Sequence, residues 1–249
     1  MKTLYVSKKI LDWEASITGS VGGYIHNYKR PYEMVSHAAT LISNGITDFS
    51  LSDAVANLKR ALNHRLQAIE SNYNLKAIKF DNMPKGYLEL LEAYDLAKPF
   101  MIKRLMEIRN KIEHKDAKPP KKERCNELVD ITWYFLKSTD RLLVNIACDI
   151  ELYPYYSHNL PEKYSCTIRV DDSNKKLGLR GWIPKEYVLD SKNDAALTLK
   201  CSEIHDGEYW KNKHIEYHRD KTKDDLWLNG HFSDHNEKYL IFKKCFEAY

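Results

Sequence analysis

The chain has 249 residues, enough for two domains, and its 43% hydrophobic and 30% charged residues indicate a globular rather than a disordered protein. No apolar run reaches the roughly 18 residues of a membrane-spanning helix, and charges recur too soon after Met1 for a signal peptide. The five cysteines include no CxxC pair, and an odd number suits reduced thiols, so we expect a cytoplasmic protein without a membrane partner.

The net charge of +4 is unevenly distributed along the chain. Segment 98–124 holds ten Lys or Arg residues against four acidic ones. Such a local excess attracts polyanions even when the whole protein is nearly neutral. Charge alone, however, is explained more simply by a solvated helix face followed by a Lys-rich loop.

The first 150 residues carry the spacing of amphipathic helices. Val6, Ile10, Trp13 and Ile17 lie on one face of a predicted first helix. A long last helix over about 122–150 has two apolar stripes, which predicts that it packs on two sides, within a bundle or against a partner. We therefore predict an all-helical domain over residues 1–155.

The pattern changes after Pro154. Short runs at 164–170, 196–201, 214–218 and 239–242 alternate between apolar and polar residues, and turn-rich stretches separate them. This period of two predicts a small, mainly antiparallel β domain over residues 160–249. The predicted fold class is α+β, an N-terminal helical bundle followed by that β domain.

Arg109, Asn110 and His114 stand near the end of a predicted helix. Asn110 and His114 are i, i+4 neighbours, so the amide can orient the imidazole. Arg109 and His114 are five residues apart, which places them roughly 140° apart around an ideal helix. They converge only if the helix ends near His114 or if a second copy completes the site.

An Arg and a His beside a basic segment suit cleavage of RNA by its own 2′-hydroxyl group. Histidine titrates near neutral pH and can accept or donate the proton. Arginine carries a permanent charge in a fork that matches phosphate oxygens, and this route needs no metal. The alternative is that Arg109 and His114 are surface residues near a helix C-terminus, where the helix dipole favours positive charge.

The run Arg109-Asn110-Lys111-Ile112-Glu113-His114 resembles the signature of the HEPN superfamily: Arg, a polar residue that is often Asn, a short spacer and His. The resemblance covers roughly residues 50–150. It implies a helical bundle and a metal-independent, cofactor-free endoribonuclease of the kind found in toxins and antiviral defence, with Arg109, Asn110 and His114 as catalytic residues.

The resemblance also implies partners. Such proteins usually form homodimers through the helical domain, so that two copies of Arg and His line one cleft, and a toxin would have an antitoxin or regulatory partner. Other members are non-catalytic dimerisation modules, and here the β domain would then bind a ligand or protein. The basic segment is expected to hold the RNA backbone. The candidate RNA-binding residues are Lys103, Lys111, Lys115, Lys118, Lys121 and Lys122.

Two further sets of residues have a structural interpretation as the default. His214 and His218, and again His231 and His235, are spaced so that they could hold zinc, but solvated histidines on a strand face are the simpler explanation, and we predict no metal site. The tryptophans of the C-terminal part are interpreted as core residues rather than as a base-stacking platform. These are Trp182, Trp210 and Trp227.

Overall fold

The computed structural model describes residues 1–23, 28–45, 47–115, 117–154, 163–170, 176–211 and 220–249, and its class is α+β. The chain divides into two compact units. A sheet unit comprises Met1–Val21, Leu75–Met83 and Ala147–Tyr249, and a helical unit comprises Gly22–Asn74 and Pro84–Ile146. The sheet unit therefore contains residues from both sides of the predicted boundary at 155–160.

A single sheet of eight strands dominates the described part of the sheet unit. Its spatial order is β2-β3-β4-β5-β8-β7-β1-β6. Each neighbouring pair in this order, from β3-β4 to β1-β6, is antiparallel. The strands are β1 (Lys2–Ser7), β2 (Glu14–Gly22), β3 (Asn145–Tyr153), β4 (Ser165–Val170), β5 (Leu177–Pro184), β6 (Val188–Leu189), β7 (Ala196–Asp206) and β8 (Asp225–Phe232).

The other elements of the sheet unit are short helices. 3-10 turns occupy Lys8–Asp12, Leu75–Ala77 and Lys185–Tyr187, and the last two helices of the chain are α7 (Gly207–Lys211) and α8 (His235–Phe246). Asp234 caps α8, because its carboxylate accepts from the backbone N–H groups of Asn236 and Glu237. Glu237 in turn accepts from the backbone N–H of Thr198 at 2.7 Å, which ties α8 to β7.

In the described residues the helical unit has six helices, and the first five of them share one apolar core. They are α1 (Arg30–Asn44), α2 (Asp48–Tyr73), α3 (Tyr87–Ala93), α4 (Phe100–Lys115), α5 (Lys122–Ser138) and α6 (Arg141–Val144). α2 is the central helix and contacts α1, α4, α5 and α6. Thr47 caps its start by accepting from the N–H of Ser50, and Asn74 ends it in the left-handed conformation, with φ 43°. In the described part of the chain, no helix is both long and apolar enough to span a membrane.

The predicted N-terminal all-helical bundle followed by a β domain is wrong. Residues 1–22 form β1, a 3-10 turn and β2. Along the sequence, helices α1 to α6 come between these two strands and the strands β3 to β8. Val6, Ile10 and Trp13 are buried, as the helical spacing required. A strand followed by the 3-10 turn over residues 8–12 gives buried residues at the same spacing as a helix. Residues 2–7 form a strand because β1 pairs with β6 and β7.

The predicted long helix over about 122–150 is also wrong. α5 ends at Ser138, one short helix follows, and β3 begins at Asn145. Of the predicted strands, 165–170 and 196–201 are confirmed, whereas 239–242 belong to α8 and 214–218 lie outside the described residues.

Arg65 of α2 explains why α5 ends where it does. Its guanidinium is fully buried and donates through Nη1 to the carbonyl oxygen of Leu136 at 3.0 Å and to the carboxylate of Asp140 at 2.8 Å. The Leu136 carbonyl is one of the last four in α5, which have no partner within the helix. Tyr32 of α1 donates to the same carboxylate at 2.8 Å. One ion pair thus joins α1, α2 and the end of α5.

We expect Arg65→Met to lower the free energy of unfolding by about 3 kcal/mol, because it leaves the Asp140 carboxylate without its buried partner. The loss is measured by urea denaturation followed by circular dichroism. Arg60→Met is the matched control, since Arg60 is exposed on the same helix and should change stability by less than about 0.5 kcal/mol. Equal losses in the two variants would contradict the assignment.

The buried carboxylate of Asp225 joins the start of β8 to the residues just before β4. It accepts from Lys163 Nζ at 2.7 Å, from the backbone N–H of Thr222 at 2.6 Å and from the hydroxyl group of Tyr164. Burial by itself raises the pKa of Asp225, but these hydrogen bonds outweigh it and lower the pKa to about 2. The ionised form of Asp225 therefore stabilises the folded chain.

This shift predicts a pH window for the stability that Asp225 contributes. The contribution is complete above about pH 4, the ordinary pKa of an aspartate, and disappears as the pH falls towards the folded-state value of about 2. Asp225→Asn should therefore lower the melting temperature at pH 7, and its difference from the wild type should shrink between pH 4 and 2. Asp224→Asn, at an exposed neighbour, is the control. A difference that stays constant with pH would refute the assignment.

Candidate functional site

The predicted catalytic residues lie in the last two turns of α4. The helix is fixed by Ile102 and Leu105, which are buried in the core of the helical unit, while Ile108 and Ile112 pack against that core from its margin. α4 contacts α2 and α5. Its last two residues are His114 and Lys115, where the helix dipole favours positive charge.

Arg109 is held against its own helix. Its side chain is 19% exposed, and its Nη2 forms an ion pair with Oε1 of Glu113, one turn further along α4. Nη1 donates to the amide oxygen of Asn110 at 3.3 Å. Nε is buried and has no hydrogen-bond partner within the described residues. Asn110 therefore contacts Arg109, and not His114 as its i, i+4 spacing suggested.

His114 is the accessible member of the set. Its side chain is 71% exposed, and its Nε2 lies 3.9 Å from Oε2 of Glu113. That distance is too long for a hydrogen bond but short enough for electrostatic attraction when the imidazole is protonated. The imidazole is thus accessible and makes no hydrogen bond to Glu113.

Glu113 is the residue that the sequence interpretation missed. Its two carboxylate oxygens face the two predicted catalytic side chains, Oε1 towards Arg109 and Oε2 towards His114. The structure therefore brings Arg109 and His114 to one carboxylate within a single chain, although they do not contact each other. The i, i+4 spacing of Arg109 and Glu113 was the signal that could have identified it.

The candidate RNA-binding lysines fall into two groups. Lys103 is already engaged, because its Nζ lies 2.7 Å from Oε1 of Glu89 on α3, and the hydrogen bond from Lys103 lowers the pKa of Glu89. Lys122 donates to the carbonyl oxygen of Ser43 at 3.3 Å. The remaining four are exposed and have no ion pair within the described residues. They are Lys111, Lys115, Lys118 and Lys121.

The connection after α4 is tied down at both ends. The backbone N–H of Ala117 donates to the carbonyl oxygen of Lys111 at 3.3 Å. Further along, the carbonyl oxygen of Pro120 lies 3.4 Å from the buried thiol of Cys125. Lys118 and Lys121 therefore follow His114 on a short segment that is anchored near both ends.

The remaining candidates from the sequence lie in the sheet unit. Of the four histidines, His231 lies on β8 and His235 begins α8, whereas His214 and His218 are outside the described residues. No group of three or more His, Cys, Asp or Glu side chains in the described residues is placed to hold a metal ion. Trp182 is buried, but Trp210 and Trp227 are only partly so.

Comparison with known proteins gives no relative of this chain. No protein-family model, curated protein or solved structure matches it.

The arrangement at the end of α4 can bind an anion and move a proton. A guanidinium group can bind two phosphate oxygens at once, and an exposed imidazole can act as acid or base near neutral pH. Four exposed lysines lie within seven residues of His114 in the sequence, and the Glu113 carboxylate balances one positive charge. These properties suit a phosphodiester better than a neutral substrate.

Proposed function

We propose that the helical unit is a metal-independent endoribonuclease whose catalytic residues are Arg109 and His114. The observation that supports this most directly is the shared Glu113 carboxylate, which links a guanidinium and an exposed imidazole five residues apart on α4. The resemblance of this helix to the HEPN signature agrees with the proposal.

In the proposed reaction the 2′-oxygen of RNA attacks the adjacent phosphorus, and the bond from phosphorus to the 5′-oxygen breaks. An imidazole takes the proton from the 2′-hydroxyl group, and the leaving 5′-oxygen receives a proton from an acid, a second imidazole or water. The products are a 2′,3′-cyclic phosphate and a 5′-hydroxyl end. Arg109 stabilises the negative charge that builds on the phosphorane oxygens.

Glu113 has a role in this scheme before the substrate binds. It pairs with Arg109, so an incoming phosphate group must displace it. Asn110 can keep its hydrogen bond to Arg109 during that exchange and hold the guanidinium in place. Until phosphate displaces it, the Glu113 carboxylate balances the charge of Arg109 and keeps the guanidinium group oriented.

We further propose that the exposed lysines on both sides of His114 in the sequence bind the RNA backbone. Lys111, Lys115, Lys118 and Lys121 can contact phosphates without breaking an ion pair of the described residues. Lys103 and Lys122 would have to share donors that already face Glu89 and Ser43. Contacts of this kind bind RNA without regard to its sequence.

A homodimer through the helical unit is part of the proposal. The side chains of Trp133 and Tyr134 on α5 are 41% and 67% exposed, and large exposed aromatic residues are enriched at protein interfaces. A dimer would also supply the second imidazole. Light scattering that gives the mass of one chain for a fully active sample at micromolar concentration would rule this out.

We place the activity in the cytoplasm, because the five cysteines are free thiols, as expected in a reducing compartment. A toxin or antiviral effector with a regulatory partner is the setting that the HEPN resemblance favours. Expression of the wild type and of a His114→Ala variant in cells tests this, since only the wild type should arrest growth or degrade cellular RNA.

We expect Glu113→Gln to bind single-stranded RNA about two- to fivefold more tightly, because it removes the carboxylate that competes with phosphate for Arg109. The assay is fluorescence anisotropy with 2′-O-methyl RNA, which cannot be cleaved through its 2′-oxygen. Glu107→Gln is the matched control, since Glu107 pairs with Arg104 at 3.1 Å on the same helix. Equal gains in the two variants would indicate a general charge effect and not a site at Arg109.

We expect His114→Ala to lower the rate of RNA cleavage in EDTA by about 10²- to 10⁴-fold, as is usual for the loss of a general acid or base. The assay follows total RNA incubated with purified protein. His64→Ala, at an exposed histidine of α2, should keep the wild-type rate.

Two outcomes would contradict the proposal. Cleavage that EDTA abolishes would require a metal, and undiminished cleavage by His114→Ala would move the site elsewhere. A chain that binds RNA or dimerises but never cleaves would be the non-catalytic module that the sequence left as the alternative.

A further inference from the structure

One face of the sheet is polar where a core would be apolar. Side chains of β4, β5 and β8 alternate between the two faces. On one face Ile168 and Leu179 are buried opposite each other. On the other face Thr167, Arg180 and Asn229 lie side by side on three neighbouring strands. A cavity of about 490 Å³ opens on this polar face.

Two guanidinium groups line the cavity, and each is held in position. The Nε of Arg169 donates to the carboxylate of Asp149 at 2.8 Å, although the Arg169 side chain is 69% exposed. The guanidinium carbon of Arg180 lies 5.4 Å from the centre of the Trp227 ring, a cation–π contact. Preorganised guanidinium groups lose little freedom when they bind an anion, and their fork matches phosphate oxygens.

Aromatic rings form another wall of the cavity. Trp182 and Trp227 both line it, with ring centres 5.6 Å apart and planes at 65°. On its other flank Trp227 contacts the ring of Trp210 at 5.7 Å. A rigid indole wall next to two guanidinium groups suits a flat ring that is attached to an anionic group.

Gly178 leaves the space between these walls open. It lies on β5 opposite Arg169, and a Cβ atom added there would meet Gly230 O at 3.5 Å and Arg169 Cβ at 3.8 Å, which are ordinary contacts. Its backbone therefore does not require glycine. Gly181 differs, because its φ is 151° and an added Cβ would lie 2.3 Å from the carbonyl oxygen of Ser165. A side chain at position 178 can thus narrow the cavity without distorting the strand.

We propose that this cavity binds a phosphate ester that carries a planar ring and has the size of a mononucleotide. The volume lies within the range of roughly 300–1,000 Å³ that is usual for small-molecule sites. Among the described residues, the lining has two guanidinium groups and one carboxylate, which leaves a positive excess for the phosphate group. The hydroxyl group of Thr167 and the amide of Asn229 are placed to bind sugar hydroxyls. The site is independent of the proposed ribonuclease at α4.

The test is isothermal titration calorimetry of the full chain with adenosine and uridine monophosphates, with the parent nucleosides and with inorganic phosphate. The monophosphates should bind at least tenfold more tightly than the parent nucleosides or inorganic phosphate. Arg180→Gln should weaken this binding by roughly 10- to 100-fold, the effect of losing a hydrogen bond to a charged group. Gly178→Val, which narrows the cavity, should weaken this binding at least tenfold while circular dichroism remains unchanged.

Two control variants locate the binding site. Arg30→Gln removes an exposed guanidinium outside the sheet unit and should leave the affinity unchanged. Lys118→Ala combined with Lys121→Ala and Lys122→Ala removes the basic segment after α4 and should also leave it unchanged.

Three results would overturn the proposal. These are no heat of binding with either monophosphate at millimolar concentration, wild-type affinity in both Arg180→Gln and Gly178→Val, or binding only of oligonucleotides. The last result would show that the sheet face binds a strand rather than a small molecule.

Discussion

The buried guanidinium of Arg65 decides how the helical unit ends. It binds the carbonyl oxygen of Leu136 and the carboxylate of Asp140, and Tyr32 donates to that same carboxylate. Arg65 thereby satisfies the Leu136 carbonyl group at the end of α5, and the chain passes through the short helix α6 into β3. Because α2 carries Arg65 and also packs against α4, the same central helix supports the segment that bears Arg109 and His114. The candidate site is thus carried by a helix that packs against α2, and the ion pair of Arg65 with Asp140 joins α2 to the end of α5.

Glu113 determines what the end of α4 can do. Without it, the exposed imidazole and the half-buried guanidinium would be separate surface residues on a basic helix. With it, both face one carboxylate, and a phosphate group that displaces that carboxylate would meet Arg109 next to His114. The sheet unit has its own pair of guanidinium groups, fixed in the same manner by a carboxylate and by an indole ring. In both units, therefore, neighbouring side chains hold arginine side chains in position, and the two sites can be tested separately.

The sequence predicted which residues are buried better than it predicted which elements they form or pair with. The burial of Val6, Ile10 and Trp13 was foreseen, but β1 pairs with residues 188–189 and 196–201, and no local pattern reports a partner so distant. In the same way, the stripe along α5 continues beyond Ser138 in sequence, while Arg65, about seventy residues earlier, ends the helix. The position of His114 at the end of α4 followed from helical spacing and the prolines that follow it. The contact of Glu113 with both Arg109 and His114 was not predicted, because an i, i+4 ion pair is common on any helix and does not by itself indicate a site.

The most direct test of the central claim is the chemistry of the RNA ends. A short RNA labelled at both ends would be incubated in EDTA with the wild type, with Arg109→Gln and with His114→Ala, and the fragments identified by mass. Attack by the 2′-oxygen predicts 2′,3′-cyclic phosphate and 5′-hydroxyl ends from the wild type and intact RNA from the two variants over the same time. Fragments with 5′-phosphate and 3′-hydroxyl ends, or equal cleavage by all three proteins, would contradict the assignment of Arg109 and His114.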